Sequence, residues 1–285
     1  MRLKAEELKL QELNKFTIVN THNILGIAGM FFIPLLVVLT PIIIGQRYGI
    51  WRSKKLANLQ NASVGSVVGA AFGLLAFMLA FTFQIAASRY NVRKDLLLEE
   101  VTNIRTTWLR AGVVPEPFRS DTRKLLVEYV DLRINLANDP SKLSSAMTRS
   151  QQILDKFWET VEILAERDRS SEMYSLYTSS VNDLVDNYNQ RVTMTLEYRI
   201  PPAILGVLFI ITFFSMLALG YQFGISGKGS FRINLLLAVI FAMVMFLILA
   251  LDRPETGLAK LNQKPMLTLQ QQLHGKYLNG VQDNK

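Results

Sequence analysis

Four long stretches of this sequence carry no charged side chain, and no other feature limits the fold as strongly. They cover residues 16–46, 56–88, 200–227 and 233–251, with lengths of 31, 33, 28 and 19 residues. A helix needs roughly 20 apolar residues to cross the hydrocarbon core of a bilayer. Because lipid offers no water to backbone groups, each crossing segment must satisfy its hydrogen bonds internally. The sequence therefore predicts an all-α protein with four transmembrane helices.

The second of these stretches leads directly into a charged helix. Residues 62–88 are uncharged, and the segment that follows is dense in charge. Its apolar side chains recur at offsets of four, three and four, and they are Leu97, Val101, Ile104 and Trp108. This spacing places them on one face of a helix. Neither Gly nor Pro occurs in residues 74–111, so we expect one uninterrupted helix that leaves the lipid and enters a soluble bundle.

Residues 89–199 form the polar part of the chain, with 16 basic and 17 acidic side chains. Proline-containing turns at 113–120 and 138–141 separate its apolar periodic segments. Amphipathic helices joined by short turns are typical of an antiparallel bundle, here inserted between the second and third spans. The core positions predicted beyond the first helix are Leu125, Leu126, Tyr129, Val130, Leu132, Ile153, Phe157, Val161, Leu164, Met173, Tyr177, Val181, Leu184, Tyr188 and Val192.

These patterns together predict the order of segments along the chain. The segments are an amphipathic N-terminal segment (1–23), the first transmembrane helix (24–45), the second (62–88), the soluble helical bundle outside the membrane (89–199), the third transmembrane helix (202–222), the fourth (233–251) and a polar C-terminal tail (252–285). Within the tail, Met266, Leu267 and Leu269 are candidates for packing back onto the bundle.

The net charge of +8 is concentrated next to the spans. The connection at 47–60 contains four basic residues and no acidic residue, whereas the bundle is nearly neutral. This distribution indicates attraction to anionic lipid, not to nucleic acid. By the positive-inside rule the 47–60 loop is cytoplasmic, which places the bundle and both termini outside a plasma (inner) membrane.

Catalytic chemistry is not indicated by the sequence. There is no cysteine, so thiolate metal sites and cysteine nucleophiles are excluded. The two histidines, His22 and His274, have no partner at the spacing of a metal site and are expected to be solvated. The acids Glu99 and Glu100 open different faces of one helix, and we expect salt bridges with basic residues on adjoining turns. We predict no enzyme, no metal and no cofactor.

The second span carries small residues at helical spacing: Gly65, Ser66, Gly69, Gly73, Ala76 and Ala80, with Thr82 and Gln84 as polar side chains near its far end. Small side chains allow two helices to approach closely, within a protomer or between protomers. The same residues would also leave room for an ion and its water if they lined a pore. Pro34 and Pro41, seven residues apart in the first span, are candidates for a bend or a hinge.

Several motifs resemble bacterial membrane proteins of unknown function that are described as bestrophin-like. They are Arg89, Tyr90 and Arg93 after the second span, Glu100, Asn103 and Arg110 in the first helix of the bundle, and Asp252, Arg253, Pro254 and Gly257 after the fourth span. The resemblance covers residues 65–273. Where many relatives have Glu-Ala, this chain has Glu100 followed by Val101. The resemblance implies an oligomeric path for ions.

The favoured function is a homo-oligomeric membrane protein that forms an ion path, with anions as candidate permeant ions. The second span is the candidate axis-facing helix, and Arg89 is a candidate selectivity charge at its mouth. The remaining mouth or salt-bridge candidates are Arg93, Glu99, Glu100, Asp252 and Arg253. Two alternatives stay open: Arg89 pairing with Glu99 or Asp252 or with lipid phosphate, and a non-conducting scaffold whose bundle binds a partner protein.

Overall fold

The computed structural model describes residues 2–55, 62–227, 229–253 and 259–282, and all secondary structure in these ranges is helical. Side chains are described at 26–54, 64–139, 141–227, 229–253 and 259–276. The α-helices are α1 (Arg2–Lys55), α2 (Ala62–Arg110), α3 (Phe118–Asn138), α4 (Leu143–Arg167), α5 (Glu172–Leu196), α6 (Pro202–Ser226), α7 (Phe231–Asp252) and α8 (Lys264–Gln282). Short 3-10 turns at Ala111–Val113 and Pro140–Lys142 precede α3 and α4. The prediction of an all-α protein is confirmed.

The chain forms two compact units. The apolar unit comprises Met1–Tyr90 and Arg199–Lys260, and the bundle unit comprises Asn91–Tyr198 and Leu261–Lys285. Helix α2 is continuous through Ser88 and contributes its first part to the apolar unit and its second part to the bundle unit. Within the described residues, four helices are long and apolar enough to cross a membrane, and they belong to α1, α2, α6 and α7.

Close packing of α1 against α6 depends on two pairs of glycines. Gly45 and Gly49 lie in α1, and Gly220 and Gly224 lie in α6, so each helix presents two glycines four residues apart. A methyl group added at Gly220 would collide with the backbone of Ile42. One added at Gly45 would collide with the carbonyl oxygen of Leu217 in α6. These helices therefore touch backbone to backbone, which gives strong van der Waals contact where lipid removes the hydrophobic drive for association.

The two ends of α6 are defined by a hydrogen bond to the end of α7 and by a glycine cap. Pro201 and Pro202 have no N–H, so the last amide available before α6 is that of Ile200, which donates a 2.9 Å hydrogen bond to Asp252 Oδ1. Both partners are buried. At the other end, α6 terminates at Gly227, whose φ of 65° requires a residue without a side chain.

The bundle unit has one apolar core to which all its helices contribute. The predicted face of α2 is confirmed, because Leu97, Val101, Ile104 and Trp108 are all buried. Most core positions predicted on α3, α4 and α5 are also buried, and Leu125, Leu132 and Val192 pack partly buried against them. Met173 is the exception, since it is 52% exposed in the first turn of α5. At that turn Ser171 Oγ accepts a hydrogen bond from the N–H of Tyr174, so the local helix start is set by capping.

The segment predicted as a polar C-terminal tail contains the ordered helix α8. Met266, Leu269 and Leu273 are at most 2% exposed and belong to the bundle core, whereas Leu267 points outward. On another face of α8, Gln270 Nε2 donates to Asp131 Oδ1 of α3 at 2.7 Å, and His274 Nε2 lies 3.1 Å from the same oxygen. The chain therefore completes its bundle with a helix distant in sequence.

An antiparallel series of side-chain-to-backbone hydrogen bonds joins α2 to α5. It consists of Arg110 to the Leu176 carbonyl (2.8 Å), Thr107 to Ser180 (3.1 Å), Asn103 to Asp183 (3.2 Å) and, in the reverse direction, Asn187 to Leu96 (3.3 Å). As the α2 residue number falls, the α5 residue number rises, which is the signature of antiparallel neighbours. These bonds fix the register of the two helices more specifically than apolar contacts do.

Candidate functional site

The small residues of α2 lie together on one open face of the helix. Ser66, Gly69, Gly73, Ala76, Ala80 and Gln84 are exposed, and Gly65 is partly exposed. We call these seven residues the α2 stripe. The opposite face packs in the apolar unit through Val68, Leu75, Leu79 and Ala86. Among the described residues, an added methyl group at Gly69 or Gly73 would meet no atom of another helix within 4 Å, so these two glycines make no close helix contact in that part of the chain.

Thr82 does not belong to the α2 stripe. Its side chain is fully buried on the opposite face, and Oγ1 donates a 2.7 Å hydrogen bond to the carbonyl of Met78 in the same helix. This partner satisfies the hydroxyl locally, which is a common arrangement for threonine in apolar helices. Sequence spacing grouped Thr82 with Gln84, but a two-residue offset turns a helix by about 200°, so the two side chains point apart.

Large aromatic side chains flank the α2 stripe. Phe77 and Phe81 are 65% and 51% exposed, and their rings stack with a centroid separation of 6.4 Å. Ser66 and Gln84 are the only polar side chains of the stripe. The exposed face of α2 is consequently uncharged and alternates between narrow and bulky positions, and it is available to lipid or to another copy of the chain.

Arg89 is the first charged residue after the α2 stripe. It is partly buried, and among the described residues no carboxylate lies within 4 Å of it to form an ion pair. The expected alternatives of pairing with Glu99 or Asp252 are therefore not observed. Glu99 is exposed and also lacks an ion pair within the described part of the chain, whereas Arg93 is 6% exposed.

Glu100 is fully buried at the centre of a charged cluster in the bundle unit. Arg133 Nε of α3 lies 3.1 Å from Glu100 Oε1, and Arg191 Nη1 of α5 pairs with Glu100 Oε2. Tyr129 donates its hydroxyl to Glu100 Oε1 at 2.8 Å. The sequence predicted partners on adjoining turns of α2, whereas these three partners come from α3 and α5, because tertiary packing turns the Glu100 side chain inward. We call Glu100, Tyr129, Arg133 and Arg191 the Glu100 cluster.

Burial changes the proton affinity of two residues of this cluster. It raises the pKa of Tyr129 to about 12 and lowers the pKa of Arg191 to about 10. The carboxylate pairs with two guanidinium groups and accepts a hydroxyl hydrogen bond, so its buried negative charge is compensated by protein groups. Glu100 lies in α2, Tyr129 and Arg133 lie in α3, and Arg191 lies in α5, so the cluster links these three helices. No free nucleophile or acid/base pair results from this arrangement.

The other candidates occupy separate positions. Asp252 accepts the Ile200 amide as described, and Arg253 is the exposed residue that follows α7. Pro34 and Pro41 lie inside α1, which remains helical through both. Pro254 and Gly257, like the side chain of His22, lie outside the described residues.

The described residues contain no group of three or more His, Asp or Glu side chains that could hold a metal ion. His274 is exposed, as expected for a solvated histidine, although it also contacts Asp131. The glycine pairs of α1 and α6 were not singled out from the sequence. Their signal was nevertheless present, since Gly45 and Gly49 repeat the four-residue spacing that drew attention to α2.

The fold and the distribution of charge define an all-helical integral membrane protein with several spans and a helical bundle. The chain belongs to the Bestrophin-like family, because residues 32–266 match the family's Bestrophin-like domain. This match confirms the resemblance found in the sequence motifs. No curated protein matches the sequence significantly.

Solved structures agree with this assignment at the level of the fold. Two crystal structures of variants of a bacterial Bestrophin homologue from Klebsiella pneumoniae superpose with TM-scores of 0.60 and 0.61 at 17% and 15% identity. Both alignments cover 87% of this chain, and they cover 98% and 97% of the respective relatives. A further structure of this homologue gives a TM-score of 0.59 at 17% identity, with 86% and 98% covered. At these identities the similarity establishes the fold alone.

Proposed function

We propose that the chain assembles into a homo-oligomer in which the α2 stripes face a common axis and line a path for anions. The carrying observation is the open, uncharged α2 stripe, at which Gly69 and Gly73 have no neighbour within 4 Å of an added methyl group. The Bestrophin-like family is one of homo-oligomeric anion channels, which supports the same assignment.

The α2 stripe fits an axial position for steric reasons. Helices around a narrow axis need small side chains on the inward face, and larger side chains beside it to contact neighbouring helices. Gly69, Gly73, Ala76 and Ala80 supply the first kind of surface, and the stacked pair Phe77 and Phe81 supplies the second. If this row of glycine and alanine faced lipid, the close contact between helices that small side chains permit would not form.

Arg89 gives the proposed path its preference for anions. It follows the α2 stripe on the same helix, and no carboxylate among the described residues pairs with it. In an assembly with rotational symmetry one such residue per subunit forms a ring of positive charge. A cationic ring raises the local concentration of anions and opposes cations.

Flux through reconstituted liposomes tests the path and its lining. Replacing Gly73 by Leu is expected to reduce chloride flux at least tenfold, because the larger side chain fills the axis. The matched control is Gly206→Leu, which adds the same volume at an exposed glycine of α6 with no neighbour within 4 Å. Equal flux through both variants would remove α2 from the axis.

The role of Arg89 as a selectivity charge is tested by measuring the permeability ratio of chloride to potassium. Arg89→Gln is expected to lower the chloride-to-potassium permeability ratio severalfold, whereas Lys94→Gln, which removes an exposed charge on the same helix, leaves the ratio unchanged. An unchanged ratio in Arg89→Gln contradicts the assigned role.

A non-conducting scaffold is the second candidate. It is favoured by the absence of any charged side chain within the four uncharged stretches, since transport proteins commonly carry one. Chloride flux through liposomes that contain the unmodified protein distinguishes the two functions. A scaffold gives no flux above that of empty liposomes, whereas a channel does.

The proposed location is the bacterial plasma membrane, with the 47–60 loop in the cytoplasm and the bundle and both termini outside. The chain has no cysteine, so single cysteines can report sidedness directly. Glu159→Cys in α4 is expected to react with a membrane-impermeant maleimide in intact spheroplasts, and Ser53→Cys, which lies within residues 47–60 in the last turn of α1, only after lysis. The reverse pattern places the bundle in the cytoplasm.

A further inference from the structure

A cavity of about 360 Å³, open to solvent on one side, lies between α2 and α8 in the bundle unit. Its apolar wall is formed by Trp108, Leu109, Leu269 and Leu273, and its polar rim by Arg105, Gln272 and Lys276. The volume is at the lower end of the range found for small-molecule sites. The cavity lies far along the chain from the α2 stripe, and the proposed function does not use it.

The floor of the cavity is rigidly built. Trp108, Leu269 and Leu273 are at most 3% exposed and belong to the bundle core. The guanidinium group of Arg123 lies over the Trp108 ring, 5.2 Å from its centre, and this cation–π contact restrains the indole. Leu109, at 58% exposure, extends the apolar wall outward. An apolar group entering the cavity therefore meets a preformed surface.

The rim of the cavity is cationic. Arg105 comes from α2 and Lys276 from α8, both are exposed, and within the described part of the chain neither forms an ion pair. No acidic residue lines the cavity among the described residues. Asp131, an acid that α8 contacts, is engaged by Gln270 and His274, neither of which lines the cavity. A bound anion would consequently meet two uncompensated positive charges.

We propose that this cavity binds a small amphiphilic carboxylate, namely a free fatty acid of medium chain length. Its alkyl chain lies against Leu109 and the outer edge of the floor formed by Trp108, Leu269 and Leu273, and its carboxylate is placed between Arg105 and Lys276, with the Gln272 amide as a further hydrogen-bond donor. The apolar contact and the two cations both contribute to the affinity, and the cations select an acid over an alcohol of the same length.

Trp108 itself can report binding, because a bromine atom quenches indole fluorescence on contact. The experiment uses the full-length protein in lipid nanodiscs, with Trp51 and Trp158 replaced by Phe so that Trp108 is the only tryptophan. 10-Bromodecanoate is titrated, and 10-bromodecanol serves as the uncharged ligand of equal length. We expect saturable quenching by the acid at a concentration roughly tenfold below that needed for the alcohol.

The charge pair is tested by substitution. The double variant Arg105→Gln and Lys276→Gln is expected to weaken quenching by the acid roughly tenfold and to leave quenching by the alcohol unchanged. Lys264→Gln, which removes an exposed charge from α8 outside the cavity, is the matched control and should bind as the parent does. Absence of quenching in the assembled protein, equal quenching by acid and alcohol, or equal loss in Lys264→Gln would each overturn the proposal.

Discussion

Replacing Gly220 by Ala tests whether backbone contact between α1 and α6 holds the apolar unit together. The added methyl carbon would lie 2.8 Å from the carbonyl carbon of Ile42 and 2.9 Å from its Cα, and closer still to its carbonyl oxygen. Ordinary van der Waals contact begins near 3.4 Å. Because all three atoms are backbone, no side chain can rotate away, and the two helices must move apart.

The size of the effect follows from two opposing contributions. Overpacking of this kind costs about 1–3 kcal/mol. Replacing glycine by alanine inside a helix contributes roughly 0.5–1 kcal/mol in the favourable direction. We therefore expect Gly220→Ala to destabilise the protein by about 1–2 kcal/mol.

The matched control for this substitution lies on the same helix. Gly206 of α6 has no atom within 4 Å of an added methyl group, so Gly206→Ala should be neutral or slightly stabilising. Unfolding of the purified protein in mixed micelles, followed by circular dichroism during titration with dodecyl sulfate, compares the two variants directly. If both variants unfold at the same dodecyl sulfate fraction, the contact between α1 and α6 does not have the importance assigned to it.

Two further predictions concern the bundle unit. Glu100→Gln removes the negative charge with which two guanidinium groups pair, so we expect a loss of about 3–5 kcal/mol in thermal or chemical unfolding; a loss below about 1 kcal/mol would contradict the cluster's role. Burial raises the pKa of Tyr177 from 10.0 to about 12, so its contribution of about 3 kcal/mol is fully present below pH 10 and is lost as the pH rises to 12. Melting curves should show this decline together with that of Tyr129, so Tyr177→Phe should reduce the decline without abolishing it, while Tyr198→Phe, at an exposed site, should leave it unchanged; an equal decline in both variants would show another cause.

The sequence alone determined which segments are apolar enough to enter a membrane and which faces of the bundle helices are buried. Both properties are local, because a helix repeats every 3.6 residues and a charge within a span is costly wherever the helix lies. The face formed by Leu97, Val101, Ile104 and Trp108 was therefore predictable without knowledge of any partner helix. The α2 stripe was also visible as a pattern, although its surroundings were not.

Only the tertiary structure decided what each pattern touches. Gly45 and Gly220 pack against backbone while Gly69 and Gly73 remain open, and no local rule separates these glycines, because the difference lies in which helix comes near. The partners of Glu100 come from 33 and 91 residues further along the chain, so their contacts depend on how the helices are arranged. The same reason applies to α8, whose few apolar residues enter the core because other helices leave a groove that they fill.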